Sequence, residues 1–133
     1  MQLENKIFEI ESGDDFAQVS LEVFKYQYDT INIYKDFCDH LKVNPSVVNE
    51  ISEIPFLPIE FFKSHHIGDT SNYDKLFLSS GTTQNDKSKH YIKDIDVYKR
   101  SFFNGFKMFY GNPSDYLIAA ILPGYVDNPN SSL

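Results

Sequence analysis

The segment from Lys75 to His90 constrains the fold more than any other part of the chain. Its sequence is K-L-F-L-S-S-G-T-T-Q-N-D-K-S-K-H, and Tyr91 and Ile92 come directly after it. A short apolar run therefore leads into five small residues, and a second β-prone piece comes after a polar stretch. This order predicts a strand, then a loop rich in hydroxyls and free backbone N–H groups, and then a second strand.

The predicted loop has the chemistry of an anion site. A concave row of backbone N–H groups binds anions, most often phosphate, and Gly81 lets the backbone approach a ligand without a Cβ in the way. Lys87 and Lys89 add positive charge as mobile point charges. We therefore interpret this segment as a nucleotide-phosphate loop.

The bulk composition excludes several classes of protein. The chain of 133 residues fits one domain, and its 12 Phe and 9 Tyr predict an aromatic core. A net charge of −7 with interspersed signs argues against a nucleic-acid or membrane-surface binder. Cys38 is the only cysteine, which excludes a disulfide framework and a cysteine-rich metal site. The start of the sequence lacks a signal-peptide pattern, and no apolar run approaches the ~20 residues of a membrane helix, so we expect a soluble cytoplasmic protein.

The first half of the sequence has helical patterns. Ser12, Asp14 and Asp15 are typical of a helix start, and apolar residues then recur at helical spacing. Proline and asparagine interrupt this pattern twice. The predicted elements are helices over Ser12–Tyr28, from Thr30 to the break at Asn44-Pro45, and over Pro45–Ile51, with a helical turn after them at Ile59–Lys63.

The second half has an α/β order. Its predicted elements are a strand at Leu76–Ser79, the loop, a strand at Lys89–Lys93, a helix from Asp94 to about Tyr110, and a strand at Tyr116–Leu122 covered on both faces. The helix carries an apolar stripe at spacings of four, four and three, which predicts burial in a core rather than the wall of an acyl-chain tunnel. The stripe consists of Tyr98, Phe102, Phe106 and Phe109.

A Walker loop is a competing interpretation of the same segment. Gly81-x4-Asp86-Lys87-Ser88 nearly matches the pattern G-x4-G-K-S/T. However, Asp86 stands where the second glycine should be, and its carboxylate would repel phosphate. A Walker loop also opens directly into a helix, whereas Lys89–Ile92 continues as a strand-like sequence. The sequence context therefore disfavours this alternative.

A second pattern fits better. F-L-S-S-G-T-T resembles the S/T-S/T-G-T-T phosphate loop of the adenylate-forming enzymes, and further blocks resemble the LuxE-like acyl-protein synthetase family within that superfamily. One departure from the family is Gln84, which stands where a glycine usually comes after G-T-T. The other matching blocks are V-F-K-Y-Q-Y-D-T-I-N-I-Y, F-L-P-I-E-F-F-K-S-H, S-K-H-Y-I-K-D, Y-K-R-S-F, Y-G-N-P-S-D-Y and L-P-G-Y-V-D-N-P-N-S-S-L.

The resemblance implies ATP-dependent activation of a carboxylic acid, with a fatty acid as the expected substrate. The acyl-adenylate would then pass its acyl group to a thiol on a protein, a carrier or coenzyme A, and ATP and Mg²⁺ are the implied cofactors. By position, the loop residues that would line the phosphates are Ser79, Ser80, Gly81, Thr82 and Thr83. Lys87, Ser88 and Lys89 would assist them. The resemblance covers only the N-terminal portion of such an enzyme.

Three further residue types invite functional interpretations. His65 and His66 are neighbours without a nearby carboxylate or cysteine cluster, so we predict a surface loop and no metal site. Cys38 lies on the apolar stripe of the second predicted helix, so we expect a buried, inert thiol and not the acyl-accepting cysteine. His90 comes after the loop and either contacts the ligand or merely caps or packs, and geometry decides between the two.

The predicted fold is therefore α/β, in a single partial domain spanning residues 1–133. A helical layer over residues 1–55 precedes a partial mixed sheet over residues 56–133, which carries the phosphate loop. The ending N-S-S-L resembles a helix cap without its helix and predicts a chain cut inside a larger fold. An incomplete sheet would expose an edge, so we predict homo-oligomers that form through it. The alternative function is a non-catalytic module that retains the loop and binds a nucleotide or a partner.

Overall fold

The structure is a computed structural model that describes residues 3–79 and 87–119. The chain divides into two units, Met1–Gly68 and Asp69–Leu133. The first unit contains α1 (Leu3–Lys6), α2 (Gly13–Thr30), α3 (Asn32–His40), a 3₁₀ turn (Ile51–Glu53) and α4 (Phe61–Ser64), and the second contains β1 (Lys75–Leu78), β2 (Lys89–Ile92), α5 (Ile95–Tyr110) and a 3₁₀ turn (Pro113–Asp115). None of the helices in the described ranges has the length and apolar character needed to cross a bilayer.

The first long helix, α2, begins where the sequence predicts. The Oγ of Ser12 accepts a hydrogen bond from the N–H of Asp15 at 3.1 Å, and the carboxylate of Asp15 accepts one from the N–H of Ser12 at 3.0 Å. This capping box satisfies two backbone donors that no helical carbonyl can reach. The bond from the Ser12 hydroxyl lowers the pKa of the Asp15 carboxyl, so the cap carries a negative charge at the positive end of the helix.

Loss of this cap has a measurable cost. We expect Ser12→Ala to lower the free energy of unfolding by about 1 kcal/mol, because the N–H of Asp15 loses its acceptor. Urea unfolding monitored by circular dichroism measures the change. Ser101→Ala makes the same chemical change at an exposed position inside α5, and we expect its effect to stay within about 0.5 kcal/mol. Equal losses in the two variants would contradict a capping role.

The core of the first unit forms between α2 and α3. Its buried members are Phe24, Tyr34, Cys38 and Val48. The rings of Phe24 and Tyr34 meet edge to face with centroids 6.1 Å apart, a favourable aromatic geometry. The hydroxyl of Tyr34 donates to the carbonyl of Pro55 at 2.7 Å, which satisfies the polar atom of a buried ring. Burial raises the pKa of the Tyr34 phenol.

The predicted helix over Pro45–Ile51 is wrong. The side chain of Asn44 accepts hydrogen bonds from the N–H of Ser46 at 2.9 Å and from its hydroxyl at 2.6 Å, so it stabilises a turn. The 3₁₀ turn begins only at Ile51, where the carboxylate of Glu53 accepts from the N–H of Glu50 at 3.1 Å. A turn stabilised by its own side chains therefore replaces the predicted helix.

The second unit consists of a hairpin and a helix. Strands β1 and β2 pair antiparallel, with Lys75 opposite Ile92 and Leu78 opposite Lys89. Helix α5 contacts one face of the hairpin, where the rings of Phe77 and Tyr98 have centroids 5.1 Å apart. The cap of α5 is Asp94, as predicted, and its side chain accepts from the N–H groups of the next two helical positions, Asp96 and Val97. The α/β class is thus confirmed in its coarse form.

Two finer predictions for this unit are wrong. The sheet in the described ranges has two antiparallel strands and is not mixed, because residues 116–119 form no strand and Leu117 is 99% exposed. The stripe of α5 is not buried, since Phe102 and Phe109 lie largely in solvent. The reason is length: strands of four residues span about 13 Å, whereas a helix of sixteen residues spans about 24 Å. The hairpin therefore covers only the beginning of the stripe. Residues 120–122 of the predicted third strand lie outside the described ranges.

Candidate functional site

The ends of the predicted phosphate loop are held together by the hairpin. The backbone N–H of Ser79 donates to the carbonyl of Ser88 at 3.1 Å, and the N–H of Ser88 donates to the Oγ of Ser79 at 2.9 Å. These two bonds continue the pairing of β1 with β2 by one further step. The segment between the two serines therefore begins and ends at hydrogen-bonded neighbours, so Ser79 and Ser88 anchor both of its ends.

Asp74 stabilises the hairpin at the other end of β1. The sequence alone did not predict this role. Its backbone N–H donates to the carbonyl of Ile92 at 2.8 Å, and its carboxylate accepts from the N–H of Ile95 at 2.9 Å. The residue thus connects the hairpin to the first turn of α5. Its partners stand about twenty positions away in the sequence, and no local pattern predicts such a contact.

The Walker interpretation fails because the wrong element comes after the loop. A Walker loop leads into a helix, so that the N-terminal N–H groups of the helix face the phosphates. Here the residues after Ser88 form strand β2, and the next helix, α5, begins only at Ile95. A strand–loop–strand arrangement is the one that the resemblance to the adenylate-forming enzymes implies.

The five predicted loop residues fall mostly outside the described ranges. Ser80, Gly81, Thr82 and Thr83 belong to residues 80–86, which the structure does not describe. Their contacts with phosphate stay a prediction. Ser79 is the described member of the group, and its hydroxyl accepts the N–H of Ser88.

The remaining predicted site residues lie at the end of the loop. Lys87 and Lys89 are exposed, and Ser88 is half-buried. Lys89 stands opposite Leu78, and His90 stands opposite Phe77. Because side chains alternate along a strand, Lys89 and His90 project from opposite faces of the hairpin. The structure thus places the two lysines near the loop and turns His90 toward the face that α5 contacts.

The environment of His90 favours its neutral form. Partial desolvation lowers the pKa of its imidazole below the ordinary value of 6.5, although the residue remains accessible to solvent. The folded chain therefore holds this proton more weakly than the unfolded chain. The stability that this neutral histidine contributes is present above pH 6.5 and decreases as the pH falls below that value.

The electrostatics of the described site suit an anion. The groups that flank the loop are hydroxyls and ammonium groups, which donate hydrogen bonds to phosphate oxygens. Within residues 3–79 and 87–119, no cluster of His, Cys, Asp or Glu side chains could hold a metal ion. Binding of a polyphosphate and Mg²⁺ at these residues stays a prediction.

Cys38 is placed for packing and not for chemistry. It is 0% exposed in the core of the first unit, and burial raises the pKa of its thiol, because the thiolate would be desolvated. We therefore expect a thiol reagent such as DTNB to modify it at least about 100-fold more slowly in the folded chain than in urea. The variant Ser101→Cys adds an exposed thiol as a control and should react at once. Rapid modification of wild-type Cys38 would contradict this placement.

Comparison with known proteins identifies the family. The family model described as "Acyl-protein synthetase, LuxE" matches residues 8–103, which include the hairpin and most of α5. The chain belongs to the LuxE acyl-protein synthetase family. No curated protein and no solved structure gives a significant match.

Proposed function

We propose that this chain takes part in the ATP-dependent activation of a carboxylic acid, with the segment between Ser79 and Ser88 binding the triphosphate. The observation that supports this most directly is the pairing of β1 with β2 up to the hydrogen bonds between Ser79 and Ser88, which lie within the residues that match the family. A loop of small hydroxylated residues anchored at both ends can present its N–H groups to one ligand. Membership in an acyl-protein synthetase family supports an acyl group as the second reactant.

The proposed step is a displacement at phosphorus. An oxygen of the carboxylate forms a bond to the α-phosphorus of ATP, the bond to the bridging oxygen breaks, and pyrophosphate leaves with the electron pair. The acyl-adenylate then transfers its acyl group to a thiolate and releases AMP. Cys38 is not the acceptor in this proposal, because its thiol is buried. The acceptor is a thiol on a protein, a carrier or coenzyme A.

The loop contributes by position and charge. Ser79, through its bond to Ser88, holds the beginning of the loop, while Gly81 leaves room for the phosphates. Lys87 and Lys89 offset the charge that develops on the departing pyrophosphate, which is the usual form of catalysis in phosphoryl and nucleotidyl transfer. When bound, Mg²⁺ supplies further positive charge to the phosphate oxygens.

The test is carboxylate-dependent exchange of labelled pyrophosphate into ATP, with a series of fatty acids as the carboxylates. Binding of ATP is measured in parallel by equilibrium dialysis. We expect exchange with the wild-type chain and a loss of at least about tenfold in the double variant Lys87→Ala/Lys89→Ala. Lys25→Ala, which changes an exposed lysine of α2, should leave exchange unaltered. Binding of ATP without exchange would support the binding module, and the absence of both would contradict the proposal.

A further inference from the structure

An apolar groove opens on the surface of the first unit, beside the core between α2 and α3. It has a volume of about 510 Å³, and none of the side chains that line it is charged. Residues from α2 and from the segment Ile51–Leu57 form most of its walls. Two of the aromatic rings that line it stay in solvent: Phe56 is 78% exposed and Phe16 is 52% exposed. Such exposed rings beside an apolar floor are typical of a surface that binds a protein segment.

The surroundings of this groove are acidic. Glu9, Asp15 and Glu22 line an adjoining depression that shares Ile10 and Val19 with it. Lys6 lines it as well and forms an ion pair with Glu22 at 2.6 Å, so three acidic side chains and one basic side chain surround this depression. Hydrogen bonds lower the pKa of the Asp15 and Glu22 carboxyls, so both are ionised at neutral pH. Residues 1–68 together carry twelve acidic and five basic side chains. This charge disfavours a fatty-acid anion in the groove and favours an apolar segment that carries basic residues.

Helix α5 has those properties. Its C-terminal part exposes Phe102, Met108 and Phe109, and Phe109 is 79% exposed. Amphipathic helices bind apolar grooves through side chains spaced three, four and seven residues apart, and Phe102 and Phe109 stand seven apart. The helix is also net positive, so it is the complement of the groove in both polarity and charge. Its charged side chains are Lys99, Arg100, Lys107 and Asp96.

We infer that α5 of one copy of this chain binds the apolar groove of a second copy. The contact joins two different surfaces, so it is heterologous. Phe102 and Phe109 fill the groove between the rings of Phe16 and Phe56, and the basic side chains of α5 face the acidic rim. This inference does not depend on the proposed function, because it concerns neither the phosphate loop nor nucleotide.

Sedimentation equilibrium at protein concentrations up to about 100 μM tests the inference. We expect the wild-type chain to self-associate, and we expect Phe109→Asp and Phe56→Asp each to weaken the association at least about tenfold. Both side chains are mostly exposed, so the folded chain should tolerate the changes, and circular dichroism verifies this. Leu117→Asp is the matched control: Leu117 is the most exposed of these apolar side chains, and it belongs to neither surface.

A mixing experiment distinguishes this contact from non-specific association. Phe109→Asp retains an intact groove, and Phe56→Asp retains an intact α5, so an equimolar mixture should form mixed complexes that neither variant forms alone. A wild-type chain that stays monomeric would overturn the inference, as would equal loss of association in Leu117→Asp. Failure of the mixture to associate would also overturn it. A small apolar dye that binds the groove equally well in the associated and the monomeric chain would overturn it too. The groove would then be open in the associated state and would bind small molecules instead of α5.

Discussion

Replacing Phe24 with alanine should lower the free energy of unfolding by about 3–5 kcal/mol. The side chain is 2% exposed, and it contacts the rings of both Tyr28 and Tyr34 edge to face. Truncation removes these contacts and leaves a cavity between α2 and α3. Because a small unit has a modest stability to lose, this single change is expected to unfold a large share of the first unit at room temperature.

Urea unfolding monitored by far-ultraviolet circular dichroism measures this loss. Phe16→Ala is a matched control, since it deletes the same ring from the same helix at a position that is 52% exposed. We expect the control to cost less than about 1.5 kcal/mol, because little apolar area returns to water. Comparable losses in the two variants would contradict the burial of Phe24 in the core of the first unit.

The second large effect concerns the proposed phosphate loop. Gly81→Trp should reduce carboxylate-dependent pyrophosphate exchange by at least about 100-fold, because an indole at this position would occupy the space that the phosphates need. The effect should appear in binding as well, as a loss of ATP retention in equilibrium dialysis. A change in exchange alone, with binding intact, would place Gly81 outside the phosphate contact.

Gly13→Trp controls for the introduction of a large side chain. Gly13 is the first residue of α2, and a Cβ built on it meets no atom within 4 Å. We expect exchange in this variant to stay within about twofold of wild type. If both tryptophan variants lost exchange equally, the loss would reflect general destabilisation and the loop would lose its proposed role.

Local signals in the sequence predicted the ends of the long helices well. Ser12 and Asp15 form the capping box of α2, and the side chain of Asp94 caps α5. Each of these interactions spans at most three residues, so all the atoms involved are present in one short stretch of sequence. Gly111 is the C-cap of α5 and adopts φ +86°, a conformation that glycine adopts easily.

Predictions that depended on distant partners were less accurate. The stripe on α5 has the spacing of a buried face, yet burial requires a sheet long enough to cover it, and the hairpin is short. Residues 116–119 have the composition of a strand, yet a strand exists only when another one pairs with it. The residues after Asn44 show a different reason for a wrong prediction. The same residues fit two local patterns, a helix and a turn stabilised by the Asn44 side chain, and the chain forms the turn.

The candidate site was predictable in sequence position and only in part in geometry. The composition of the segment predicted two strands around a loop, and the bonds between Ser79 and Ser88 confirm that its ends meet. The sequence placed Lys89 and His90 next to each other at the end of the loop, with Lys89 as a ligand contact and His90 as either a ligand contact or a residue that caps or packs. The register of the hairpin separates them, because adjacent residues in a strand face opposite sides.

The sequence by itself determined the two strands that flank the loop, the caps of α2 and α5, and membership in the LuxE acyl-protein synthetase family. These depend on residues that act over one or two helical turns, or on motifs that are linear patterns. Only the tertiary structure decided that the far end of α5 stays exposed and that an uncharged groove lies beside an acidic rim. Both are properties of surfaces brought together from distant parts of the chain, and no local pattern encodes them.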